Sequence, residues 1–234
     1  MNDVRLGHLK CFYDLLGVLS ERIGGPRVLA DCDGRLDWPQ RGVYFFMESG
    51  ELRRETGNGN RIVRVGTHAL KGGSRTTLWK RLSQHRGQAR SGGGNHRGSI
   101  FRLIVGTALI ERHGYQCETW DNRKSSASRE VRGSEQAMER KVSETIGAMR
   151  LLWLPVEDQP GPDSLRGAIE RNSIALLSNY GKDLIDPPSP NWLGNSCNRS
   201  RVRDSGLWNA NHVDESYDPG FLDTFEVLAT RACR

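Results

Sequence analysis

In the run LWKRLSQH, Arg81 and His85 stand four residues apart. On a helix that spacing projects both side chains from the same side. Leu78 and Leu82 form the neighbouring apolar stripe, which would hold cation and imidazole at the edge of a packed surface. A guanidinium offers a planar fork to phosphate oxygens, and an imidazole gives or takes protons near neutral pH. Glu170, in RGAIERNSIALL, is out of place for ordinary packing. Taking about 100° per residue, Ile174 lies at about +40° and Leu177 at about −20° from it. The carboxylate therefore falls inside the apolar arc of its own helix. Buried there, it needs an arginine, a shared proton or a metal ion. Spacing leaves all three open, a structural salt bridge included.

Other polar groupings carry less. Gly57-Asn58-Gly59 is turn chemistry, because the Lys and Ser/Thr of a phosphate-binding loop are missing. Asn209, Asn211 and His212 in WNANHVDE faintly resemble an HNH nuclease, but no zinc framework or ββα pattern accompanies them.

The positive charge has an address. Lys+Arg 34 against Asp+Glu 28 gives a net +6. From Lys71 to Arg102 the chain holds eight bases (Lys71, Arg75, Lys80, Arg81, Arg86, Arg90, Arg97 and Arg102) and no acid. Subtracting them leaves 26 bases against 28 acids, so the whole excess lies in one glycine-rich segment. Cations spaced along such a chain suit a phosphate backbone, whose neutralisation releases counterions. A solvated basic loop without a ligand has the same composition.

The elements that must position these residues can be read in outline. Residues 4–23 have helical spacing ended by Gly24-Gly25, and we expect a leading helix outside the catalytic core. The β-rich runs 42–47 and 61–66, joined by a Gly/Asn-rich connection, predict an antiparallel hairpin. A compact helix is expected over 75–86, followed by a glycine-rich stretch at 87–98. The apolar run 100–110 reads as a strand and 121–133 as a loop. Helical pattern resumes at 134–148 with Ser134 as N-cap, 150–156 reads as a buried strand, and 163–178 as a helix. The last forty or so residues show no clear periodicity.

Taken together, these residues resemble the GIY-YIG nuclease family. Gly42-Val43-Tyr44 matches the first signature, and Arg64-Val65-Gly66 stands where the second belongs. Arg81 matches the family arginine, with His85 four residues on as in restriction-enzyme members, and Glu170 matches the glutamate of the last core helix. SPNWLG and SGLWN are similar to stretches of bacterial proteins with this domain. The resemblance implies an α+β fold, a small three-stranded antiparallel sheet flanked by helices in the order β-β-α-α-β-α. Residues 40–192 would form the nuclease domain with an insertion near 87–133, between an N-terminal helical extension (1–39) and a C-terminal extension (193–234). It departs at the second tyrosine, which Arg64 replaces; His68 lies close enough to substitute. The family asparagine would be Asn179 or Asn191, and Asn191 is preferred because the proline-rich break before it can fold the chain back.

The resemblance also implies chemistry. Glu170 would hold one divalent metal, Mg²⁺ or Mn²⁺, at the leaving 3′ oxygen. Arg81 would clamp the phosphate, and Tyr44 would orient or deprotonate the attacking water with His85 behind it. Lys71, Arg75, Lys80, Arg86, Arg90, Arg97 and Arg102 would line the DNA backbone. The implied activity is metal-dependent DNA cleavage in restriction, defence or a mobile element; the alternative is a nucleic-acid-binding protein that has lost cleavage. Composition fits either, since 36% hydrophobic residues and 27 glycines suffice for a packed core. No stretch approaches the roughly eighteen apolar residues of a membrane span. MNDVRLGHLK does not read as a secretory signal. Five scattered cysteines without a CxxC pair argue against a disulfide framework or zinc site and for a reducing cytoplasm. Oligomeric state stays open, a homodimer included.

Overall fold

A computed structural model describes residues 2–88, 91, 93–121 and 126–232. The β-rich runs pair as expected: β2 (Gly42–Leu52) and β3 (Asn60–Gly66) form an antiparallel hairpin, and β4 (Arg150–Pro155) lies antiparallel on the other side of β2. The sheet has four strands rather than three. A two-residue strand β1 (Arg27–Val28) adds to the outer edge of β4, giving the order β1-β4-β2-β3. It escaped the sequence reading because two residues carry no alternation.

Side-chain alternation sorts β2 and β3 into two faces. Phe45 meets Phe12 of helix α1 (Asn2–Ile23) and Phe225 of the C-terminal helix (Phe221–Arg231). Tyr44 and Phe46 point the other way, toward His85 of α2 (Leu78–Arg86) and Phe101 of α3 (Ile100–His113). The leading helix is thus part of the main core, and Tyr13 accepts a hydrogen bond on its hydroxyl from the Ile62 N–H (3.1 Å).

Helix α3 corrects the strand expected at 100–110. Ser99 caps it by accepting from Arg102 N–H, and Gly114 closes it in the left-handed conformation (φ 66). The helical period was invisible because Phe101, Arg102 and the run Ile104–Leu109 are all buried, leaving no polar face. Helix α4 (Arg129–Gly147) begins earlier than expected, with Ser128 rather than Ser134 as N-cap, so 129–133 is helix and not loop. Helix α2 starts at Leu78 behind the Thr77 cap, and α5 spans Leu165–Leu177. The tail expected to lack pattern contains α6 (Ser200–Ser205) and the helix already met at Phe221–Arg231, α7.

Two signature glycines have a steric reason. A Cβ on Gly66 would lie 2.4 Å from Cζ and Oη of Tyr44, its partner across the β2–β3 ladder. A Cβ on Gly42 would lie 2.5 Å from the Leu154 carbonyl oxygen. Beside them, β3 carries an extra residue: Phe46 pairs with Arg64 but Met47 with Ile62, which bulges the strand next to Arg64. We expect Gly66→Ala to cost about 1–3 kcal/mol by overpacking and to push the Tyr44 ring off its position. Urea denaturation of the variant checks this; a change below about 0.5 kcal/mol would mean that the tyrosine ring has room to move.

Candidate active site

The site forms where the end of β3, helix α2 and helix α5 meet. Tyr44 Oη lies 2.8 Å from His85 Nε2, and His85 Nδ1 lies 2.8 Å from Ser99 Oγ. Tyr44 and His85 are fully buried. Phenol is the stronger acid of the two hydroxyls, so its proton belongs on the line to Nε2, and the imidazole proton on Nδ1 toward Ser99. Burial, followed by the Arg81, Arg64 and Arg102 charges, holds His85 well below the ordinary histidine range. It is a neutral acceptor for the phenol.

Arg64, at the second-tyrosine position, is also buried. Its guanidinium donates to the Trp208 carbonyl and lies 4.5 Å from the centroid of the Phe101 ring. Burial lowers its proton affinity, Tyr44 and Glu170 oppose that, and Arg81 adds to it. Tyr44, Arg81 and Glu170 are therefore Arg64's electrostatic neighbours.

Glu170 is half-buried beside the end of β3, where its Oε1 accepts from Thr67 N–H (3.1 Å). The Thr67 hydroxyl in turn donates to the Gly42 carbonyl (2.9 Å), tying the glutamate to both signature strands. No described residue forms a salt bridge with Glu170. Burial raises its pKa, against Arg64, the Thr67 N–H, His212 and Arg81. Such a carboxylate fits a hard cation, which would offset the burial that favours its protonation. Among the described residues no group of three or more His, Cys, Asp or Glu could enclose an ion, so water would complete any coordination shell. Glu170 also lines an open cleft of about 660 Å³ with Gly167, Arg171, Asn172 and His212.

Arg81 is half-exposed, bonded through Nη1 to Gln84 Oε1 (3.2 Å) and the Gly98 carbonyl (3.3 Å). Its Nε is buried without a partner, and both hydrogen bonds use Nη1, so the Nη2 donors remain for an incoming anion. His68 is buried, with Nδ1 2.9 Å from the Thr76 carbonyl oxygen, which fixes the proton on Nδ1. Arg166 donates to the carbonyls of His68 (2.8 Å) and Ala69 (3.4 Å), holding Ala69 at a positive φ of 56.

The basic segment divides. Lys71, Arg75 and Lys80 are exposed. Arg86 is half-buried, donating to the Cys32 carbonyl beside Trp79. Arg97 and Arg102 are framework residues instead of backbone contacts. Arg97 grips Glu135 through two hydrogen bonds (2.5 and 2.7 Å). Arg102, fully buried, bonds Glu139 Oε2 and the His85 carbonyl (2.8 Å). The acids that bind them come from α4, more than thirty residues away, so an acid-free local run concealed the pairing. Arg90 lies outside the described residues. Asn191 is exposed, and its carbonyl accepts from Arg112 (2.7 Å). Asn179 is consumed by Arg5 and Ile185. Neither asparagine bonds the Tyr44–His85–Glu170 set.

The sequence reading missed Ser99 and weighed Asn209 and His212 only against an HNH nuclease. Ser99 holds the imidazole, and an N-cap serine before a long apolar run was its signal. Asn209 bonds both Val65 N (3.1 Å) and Val65 O (2.8 Å), and Trp208 N donates to Val63 O (2.7 Å); the C-terminal segment thereby pairs the free edge of β3. His212 comes from the same WNANHVDE run.

A mixed α+β core with the glycine-tyrosine hairpin, the α2 Arg-xxx-His pair and the α5 glutamate is the architecture of a GIY-YIG nuclease domain. A family model described as GIY-YIG domain matches residues 3–233, and the chain belongs to that family. No curated protein and no solved structure matches the chain.

The buried histidines set a pH dependence. Burial, chiefly, lowers His68 from 6.5 to about 4, so between those values the unfolded chain takes up a proton that the native chain refuses. His68 thus supports the fold above pH 6.5, and that stability is lost as the pH falls toward about 4. Urea denaturation at stepped pH should show this, with a shallower acid limb in His68→Gln. An identical limb in the variant would mean that native His68 protonates normally.

Proposed function

We infer that the chain is a divalent-metal-dependent endonuclease acting on DNA. The observation that carries this reading is the Tyr44–His85 hydrogen bond assembled around Arg64 with Arg81 and an ion-pair-free Glu170. A structural role would have given Glu170 an arginine partner, as it does Glu135 and Glu139.

Each residue then has a task. The scissile phosphate meets Arg81, whose unpaired donors stabilise the charge that builds on its non-bridging oxygens. Tyr44, with its proton held toward His85, keeps its lone pairs for the attacking water. Burial, and then three arginines, make an imidazolium unfavourable at His85, so it orients the phenol as a neutral acceptor. Arg64 supplies the positive field that the second tyrosine position lends the site. Glu170 would hold Mg²⁺ or Mn²⁺, which when bound supplies Lewis-acid stabilisation of the leaving 3′ oxygen. Because Tyr44 is fully covered, the side chains above it must shift when DNA binds.

Lys71, Arg75 and Lys80 extend the cationic surface from Arg81 and are the backbone contacts in this reading; Arg86 borders them. Glu170→Ala should keep its melting temperature and DNA binding while plasmid cleavage in Mg²⁺ or Mn²⁺ falls roughly 10³-fold, and Tyr44→Phe should lose about 10²–10⁴-fold. Full cleavage by either variant would remove the nuclease reading. Charge reversal of Lys71, Arg75 and Lys80 should weaken binding to all sequences and flatten the log-affinity against log-salt slope by roughly 0.9 per lost contact. A slope equal to wild type would place the DNA elsewhere.

A further inference from the structure

The C-terminal segment brings a histidine to the Glu170 cleft that the nuclease reading does not use. His212 adopts a left-handed backbone (φ 63), an uncommon conformation for a residue with a side chain. Its Nδ1 lies 2.8 Å from Glu215 Oε1. Glu215 is held in place twice, by the Arg171 guanidinium on its other oxygen and by Lys182 Nζ on its carbonyl (3.0 Å). The Glu215 oxygen accepts the imidazole proton at Nδ1, which leaves Nε2 with its lone pair. No described residue bonds Nε2. His212 and Glu170 line the same open cleft.

A carboxylate behind an imidazole whose second nitrogen has no described partner is the arrangement that orients a metal-ligating histidine. We propose that His212 is a second protein ligand, with Glu170, for the divalent cation of this site, and that Glu215 is its positioning residue. This rests on the nuclease reading of Glu170. Two protein ligands leave the remaining positions to water and phosphate oxygens, as an open catalytic site requires. An imidazole nitrogen also shifts preference from Mg²⁺ toward a transition metal, so Mn²⁺ should bind the more tightly of the two.

The test uses the full chain with Mn²⁺ alone, without DNA. Calorimetry gives the affinity, and electron spin echo envelope modulation detects nitrogen bonded to the bound Mn²⁺. The expected result is a histidine nitrogen signal in wild type that disappears in His212→Ala, with Mn²⁺ affinity reduced about 10–100-fold there and in Glu215→Gln. Mn²⁺ bound in a Glu170-dependent manner without a nitrogen signal would overturn this inference and leave the nuclease reading standing. A nitrogen signal that persists in a folded His212→Ala would overturn it in favour of another histidine. Absence of any Glu170-dependent Mn²⁺ binding would overturn both. If His212→Ala does not fold, His212→Gln replaces it: loss of the nitrogen signal there supports the inference, and a signal that persists overturns it.

Discussion

Helix α3 grips His85 at both ends, and the geometry of the Tyr44–His85 pair depends on that grip. Its N-cap, Ser99, takes the ring nitrogen, while Arg102 one turn later takes the backbone carbonyl. Arg102 is itself fixed by Glu139 of α4, whose other oxygen accepts from His96 N–H (2.7 Å) and lies 2.9 Å from His96 Nδ1. Burial works against ionisation of Glu139, but the His96 hydrogen bond and Arg102 prevail and keep it charged. Removing either member of such a buried pair strands a charge at a cost of about 3–5 kcal/mol. The ion pair thus joins two long helices into a backing for one imidazole. Gly94 shows how tight the backing is, since a Cβ there would lie 2.0 Å from Arg102 Nη2.

The opposite side of the site is held by the C-terminal segment. A hairpin with an open outer edge would leave β3 free to slip, and Arg64 with it. Trp208 and Asn209 bond that edge, and the Trp208 carbonyl receives the Arg64 guanidinium. Trp208 also packs on Trp192 (ring centroids 5.0 Å apart), which joins SPNWLG and SGLWN through two buried rings. A cation replaces an aromatic hydroxyl at the second signature position because the fold supplies it with a carbonyl, a ring face and two nearby anionic or phenolic groups.

Much of this was legible in the sequence because the features are local. The hairpin, the buried β4 strand and the α2 pair show in short-range patterns, and Glu170 betrayed itself by sitting on an apolar helix face. What stayed hidden depends on partners far along the chain. Arg97 and Arg102 read as free cations because Glu135 and Glu139 lie more than thirty positions away, and α3 read as a strand because burial on all sides erased its period. His212 was noticed but compared with a zinc-type template; Glu215 stands three residues on in the same run, whereas the cleft His212 shares with Glu170 joins segments about forty positions apart.

The central claim is that His85 is a neutral acceptor which holds the Tyr44 proton on Nε2's side. Nitrogen-15 NMR of the histidine rings tests it directly. The account predicts that at neutral pH His85 carries its proton on Nδ1, that Nε2 shows the shift of a hydrogen-bond acceptor, and that the ring stays neutral through the ordinary histidine range. Tyr44→Phe should move the Nε2 resonance alone. An imidazolium, or a proton found on Nε2, would contradict it.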